Sequence, residues 1–161
     1  MPPPTDEPKP VTPRLPQDLQ RRMHRCLVGD SVPSLLIEAE GCDPAPPLVI
    51  WLHGRTATKE LDPGRYLRLM RHGISICALD LPGHGERFDA DLQRPERVLD
   101  VIIQMVDELD AAVADAQNRL HADPSRLGIG GMSAGGMVIA SRLTRTHPYR
   151  CCVLEATTGS W

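Results

Sequence analysis

Ser133 stands between Gly131 and Gly135, with a further glycine at 136, in the stretch LGIGGMSAGG from 127 to 136. A short apolar run leads into the serine and an amphipathic segment leaves it, so Gly-x-Ser-x-Gly falls at a strand-to-helix turn, the context of a nucleophile elbow. Such a turn is sharp, and side chains two positions either way collide with neighbouring backbone unless they are absent, which glycine at 131 and 135 provides. The turn lifts the Ser133 hydroxyl above the carboxyl end of the strand. The following helix aims its unpaired amides and positive dipole end at whatever the hydroxyl attacks, and the amide of Ala134 becomes one oxyanion donor. The bland alternative for a glycine-rich pentapeptide is a plain turn, so the surrounding elements must decide.

Those elements alternate. Met23 to Val28 and Val32 to Glu38 flank Gly29-Asp30 and read as an antiparallel hairpin. Leu48 to Leu52, LVIWL, is too continuously apolar for a strand with one wet face and should be buried on both. Asp62-Pro63 caps a helix carrying Tyr66, Leu67, Leu69 and Met70 and ending at Gly73. Ile74 to Leu79 is a further apolar strand, closed by Asp80 and the turn Leu81-Pro82-Gly83-His84-Gly85. From Pro95 to His121, Val98, Ile102, Met105, Leu109, Val113, Ala116 and Leu120 recur at helical spacing opposite a charged face. After the elbow, a helix runs from Ala134 to about Thr146, and Arg150 to Glu155 forms one more strand. Repeated strand and helix with short turns imply an α/β fold: a mostly parallel sheet with helices on both faces and sites at the carboxyl ends of its strands.

Bulk properties narrow the partners. A chain of 161 residues is a single domain's worth. A net charge of -3 with both signs dispersed offers no basic stripe for nucleic acid, and no apolar run is long enough to cross a bilayer. Met1 to Pro16 holds seven prolines and no apolar core like that of a signal peptide; it is expected to be a disordered tail, residues 1–19, ahead of a domain over 20–161. Five cysteines without metal-ligand spacing suggest buried, reduced thiols in a cytoplasmic protein, with no metal and no cofactor.

Three motifs together resemble the α/β-hydrolase fold, in its esterase branch near dienelactone hydrolases and prolyl-oligopeptidase-type catalytic domains: Leu52-His53-Gly54-Arg55-Thr56, Asp80-Leu81-Pro82-Gly83-His84-Gly85, and Asp123-Pro124-Ser125-Arg126 leading into Gly131 to Gly136. The resemblance covers about residues 20 to 161. It implies that Arg55 supplies the second oxyanion amide, that His53 and Gly54 support that loop, and that Ser133 is acylated by a small-molecule ester or peptide-like substrate. The runner-up is a non-catalytic hydrolase-like module for binding or association.

A serine needs a base, and the histidines present are poorly placed for it. His147 follows the helix that starts at the serine, roughly 20 Å away at 1.5 Å per residue. His72 and His121 close helices on the far face, and His24 lies in the first strand. His84 is on the correct face but two strands over, about 10 Å; it is either a base or a turn residue satisfied locally. Glu155 is either an acid or a solvated strand end, Asp80 braces its turn through backbone amides, and the Arg55 guanidinium is expected in solvent. The resemblance places the triad acid and histidine after two further strands, so the chain reads as truncated after the sixth strand, a fragment whose exposed edge invites self-association.

Overall fold

A computed structural model describes residues 15–158. In chain order it holds α1 (Gln17–Arg22), β1 (Met23–Val28), β2 (Val32–Ile37), β3 (Leu48–Leu52), α2 (Pro63–Arg71), β4 (Ser75–Leu79), α3 (Val98–Arg119), β5 (Leu127–Met132), α4 (Ala134–Arg142) and β6 (Cys151–Glu155), with 3₁₀ turns at Gly85–Arg87 and Pro95–Arg97. The six strands form one sheet in the order β1-β2-β4-β3-β5-β6. The hairpin β1-β2 joins β4 antiparallel; β4, β3, β5 and β6 are parallel.

Alternation along the strands sorts side chains into two cores. Leu48, Ile50, Leu52, Cys77 and Leu79 face α3 and α4, where Val101, Met105, Leu109, Val138 and Ile139 meet them. Trp51, Ile76 and Ala78 face α1 and α2, meeting Leu19, Tyr66 and Met70. LVIWL is buried on both faces because it lies mid-sheet between β4 and β5. Register then aligns the strand ends: Leu52 pairs with Leu79 on one side and Gly131 on the other, and Gly131 with Leu154. His53, Asp80, Met132 and Glu155 follow on one rim.

Several expectations need correction. The packed domain begins before residue 20: Leu15 and Leu19 are buried against α2, which draws α1 onto the sheet. The remainder of the expected tail, residues 1–14, lies outside the described residues. The long helix is shorter than 95–121, because Pro95 opens a 3₁₀ turn and α3 starts at Val98. Helix α4 stops at Arg142 rather than near Thr146. Pro148 disfavours helical backbone at His147, and Arg142 donates to the carbonyl of Thr146, closing the end. The thiols are expected to be buried, yet only Cys77 is fully so; Cys42, Cys151 and Cys152 are exposed. The last two are exposed because β6 is an edge strand with little of the described chain over it.

Candidate active site

Ser133 links β5 to α4 at φ 51° and ψ -118°, a conformation rarely taken by a residue with a side chain. Its backbone is fastened on two sides: its amide donates to Glu155 O at 2.8 Å, and its carbonyl accepts from Met137 N and the Thr157 hydroxyl. The flanking glycines are required by contact. A Cβ on Gly135 would lie 2.4 Å from Leu52 O and 2.6 Å from His53 O, and one on Gly131 would lie 2.8 Å from the Gly135 carbonyl carbon. Helix α4 thus begins pressed onto the end of β3, which brings the loop after β3 to the serine. A Cβ on Gly54 would be 3.2 Å from the Ser133 Cβ. The amides of Arg55 and Ala134 have no hydrogen-bond acceptor among the described residues.

His53 is buried and bridges strand ends. Its Nδ1–H donates to Gly54 O at 2.6 Å, leaving Nε2 to accept from the Leu81 amide at 3.1 Å. With the tautomer so fixed, the 3.6 Å approach of Nε2 to Asp80 Oδ1 is a contact without a shared proton. His53 therefore ties the loop after β3 to the turn after β4, as a brace. Asp80 is fully buried and accepts from the amides of Lys59 and Glu86 and from Lys59 Nζ at 2.6 Å. Burial would raise its carboxyl; these donors outweigh that and hold it well below the ordinary carboxylate range.

His84 is buried, 5.3 Å from the His53 ring centre. Its Nδ1–H donates to Pro82 O at 2.8 Å, the local bond expected of a turn residue, but Nε2 has no partner among the described residues. Burial holds its pKa below the ordinary histidine value, and no hydrogen bond joins it to Ser133. The other histidines are elsewhere: His24 meets Glu38, His72 meets Arg68 O, His121 lies in the turn after α3 and His147 stacks on Tyr149.

Two side chains depart from the solvated state expected of them. Glu155 is gripped by Arg65, whose two terminal nitrogens reach its two oxygens at 2.9 Å while the guanidinium lies 3.7 Å over the Trp51 ring. Arg55 donates through Nη2 to Gln93 O, leaning over the segment after β4. The residue that sequence reasoning missed is Lys59, whose side chain is 1% exposed among three carboxylates. Thr58-Lys59-Glu60 reads locally as a charged surface turn; only its pairing with Asp80, 21 positions away, reveals otherwise. No three His, Cys, Asp or Glu side chains are placed to hold a metal ion among the described residues.

Residues 49–160 match the model of the alpha/beta hydrolase family. The chain belongs to the α/β hydrolase family. Esterase YjfP of Escherichia coli K12 is 34% identical over 110 residues, covering 66% of this chain and 43% of YjfP. Among solved structures, TT1662 from Thermus thermophilus superposes with a TM-score of 0.71 at 24% identity, over 86% of this chain and 57% of that one. A Klebsiella pneumoniae protein designated a dienelactone hydrolase superposes with a TM-score of 0.63 at 22% identity, over 77% and 53%. This α/β hydrolase chain thus spans about half the length of the relatives it matches. No helix among the described residues is long and apolar enough to cross a membrane.

Proposed function

We propose that this chain carries the nucleophile and oxyanion donors of a serine hydrolase acting on carboxylic esters, with peptide-like or thioester substrates as related options. The backbone of Ser133 is the observation that carries the reading. A non-glycine residue at φ 51°, fastened at both its amide and its carbonyl, is held there by neighbours at a cost of about 1–3 kcal/mol. An ordinary turn would relieve that cost by placing glycine at 133; a nucleophile cannot.

In the proposed reaction the Ser133 oxygen attacks the ester carbonyl carbon while its proton passes to a general base. The oxyanion is received by the amides of Arg55 and Ala134, each contributing about 3–4 kcal/mol to the barrier reduction. Collapse breaks the acyl–oxygen bond, the alcohol leaves with the proton, and water hydrolyses the acyl-enzyme. His84 is a poor base here, since no hydrogen bond joins its free Nε2 to Ser133 and burial disfavours the imidazolium it must become. Glu155 is likewise engaged by Arg65. We assign the acid and histidine of the triad to the part of the whole protein that corresponds to the unmatched length of its relatives.

A fluorophosphonate probe tests the reading on the whole protein. Covalent modification should map to Ser133 and vanish in S133A, with ester turnover lower by about 10⁴–10⁶-fold in that variant. A folded whole protein that takes no label would instead support a hydrolase-like binding module.

A further inference from the structure

The loop bearing the Arg55 amide is held at both ends, and the grip at its far end is ionic. At the near end His53 fixes Gly54 O and the Leu81 amide, and Gly54 O also accepts from Ala57 N at 3.4 Å, folding the loop tightly around Arg55. At the far end Lys59 is fixed through its whole length. Its amide donates to Asp80 Oδ1 at 2.9 Å, its carbonyl accepts from the buried Tyr66 hydroxyl at 2.8 Å, and its ammonium meets Asp80 at 2.6 Å, Glu86 at 2.8 Å and Glu60 at 3.4 Å. Two of these contacts, to Asp80 and Glu86, are hydrogen bonds from the ammonium, and Glu60 adds a longer ion pair. Arg25 on β1 adds a second cation, paired with Glu60 and 3.5 Å from Glu86.

A cluster of this kind is a poor device for stability alone. Apolar side chains of similar volume commonly serve as well or better than a buried ion pair, because both charges must be stripped of water. An ionic grip differs from an apolar one in direction: it fixes where Lys59 sits relative to the end of β4 to within hydrogen-bond tolerance. Between that point and His53 lie only five residues, including Thr56 at φ 60°, so little freedom remains for the peptide between Gly54 and Arg55. An oxyanion donor is effective only when aimed at the position the oxygen takes in the transition state.

We propose that Lys59 is a positioning residue: by anchoring the loop after β3 to Asp80, it sets the aim of the Arg55 amide beside Ser133. The inference rests on the reading of Ser133 and Arg55 as hydrolytic machinery. Lys59 does not touch substrate. Its contribution appears only when negative charge develops on the acyl oxygen, which binds transition states and leaves ground-state affinity nearly unchanged.

The test uses the whole protein with p-nitrophenyl butyrate, rates being normalised to the active sites titrated by a fluorophosphonate probe. K59M should lower kcat by about 10–100-fold with KM within about twofold, and K59R should recover part of the loss. Since K59M leaves Asp80 buried without its counterion, the isosteric Y66F and the double variant K59M/D80N are measured beside it. Y66F, which loses only the bond to Lys59 O, should lower kcat about 3–10-fold. Affinity for a trifluoromethyl ketone, which forms a tetrahedral oxyanion on the serine, should weaken in each variant in parallel with kcat/KM. Unchanged kcat and ketone affinity per titrated site in Y66F and in K59M/D80N would overturn the assignment of Lys59 while leaving Ser133 in place. Absence of any label on wild-type protein overturns both readings.

Discussion

At Ser133 the conflict between a side chain and its backbone can be measured. Glycine is free to adopt φ 51° and ψ -118°, whereas alanine pays the same steric cost as serine. S133G and S133A both remove the hydroxyl, yet S133G should be the more stable of the two by about 1 kcal/mol after its larger loss of chain entropy is counted. Urea unfolding of the two variants gives the answer, and equal midpoints would mean that the bend carries no strain. Residues of this kind are legible from sequence because the constraint is local: Gly131 and Gly135 stand where the turn itself demands them. Lys59 and Asp80 are not, since nothing within the Thr58-Lys59-Glu60 segment indicates that it folds inward. The side-chain partners of Arg55 and Glu155 are hidden for the same reason, Gln93 O and Arg65 each lying far along the chain.

Between elements, the site depends on how closely α4 approaches β3. Gly135 lies against the carbonyls of Leu52 and His53, which are backbone atoms without rotamers to yield. G135A should therefore push α4 away and destabilise the fold by about 3 kcal/mol or more. Gly64 in the first turn of α2 provides the contrast, since the nearest atom to an added Cβ is the flexible Arg68 Nη1 at 3.9 Å. There the same substitution should stabilise by about 0.5 kcal/mol through helix propensity. Opposite shifts in the thermal midpoint are the expected result, and a loss at both positions would contradict this account of the α4–β3 contact. The elements themselves were legible wherever hydrophobic period and punctuation agreed. LVIWL became the central strand, and Asp62 caps α2, accepting from Arg65 N. Element ends were less so, because they are decided by tertiary partners: Leu15 and Leu19 bind α1 to the sheet although the surrounding prolines suggest a tail.

For the molecule as a whole, the cluster under the loop predicts how stability responds to pH. The carboxyls of Asp80 and Glu60 lie below their ordinary values: burial opposes the shift, while Lys59 and, for Glu60, Arg25 and Thr58 outweigh it. Depressed carboxyls contribute stability above their unfolded values near pH 4, and that stability drains away as pH falls below them. Burial depresses His84 too, so its share is complete above about pH 6.5 and is lost as pH falls. Lys59 is shifted upward because its carboxylate partners outweigh burial, and burial pushes Tyr149 up to about 12. Raised groups act in the opposite sense: their stability is full below the unfolded values near pH 10 and declines as pH rises through the folded ones. Burial also pushes up the Cys77 thiol, whose unfolded value is about 8.5, so the urea midpoint should be level only between about pH 7 and pH 8, falling on either side. D80N should be less stable at pH 7 yet show a shallower acid limb, because the largest depressed carboxyl no longer titrates. If the D80N curve instead runs parallel to wild type down to pH 3, the grip on the loop does not depend on the Asp80 charge, and the ionic anchoring of the Arg55 amide fails with it.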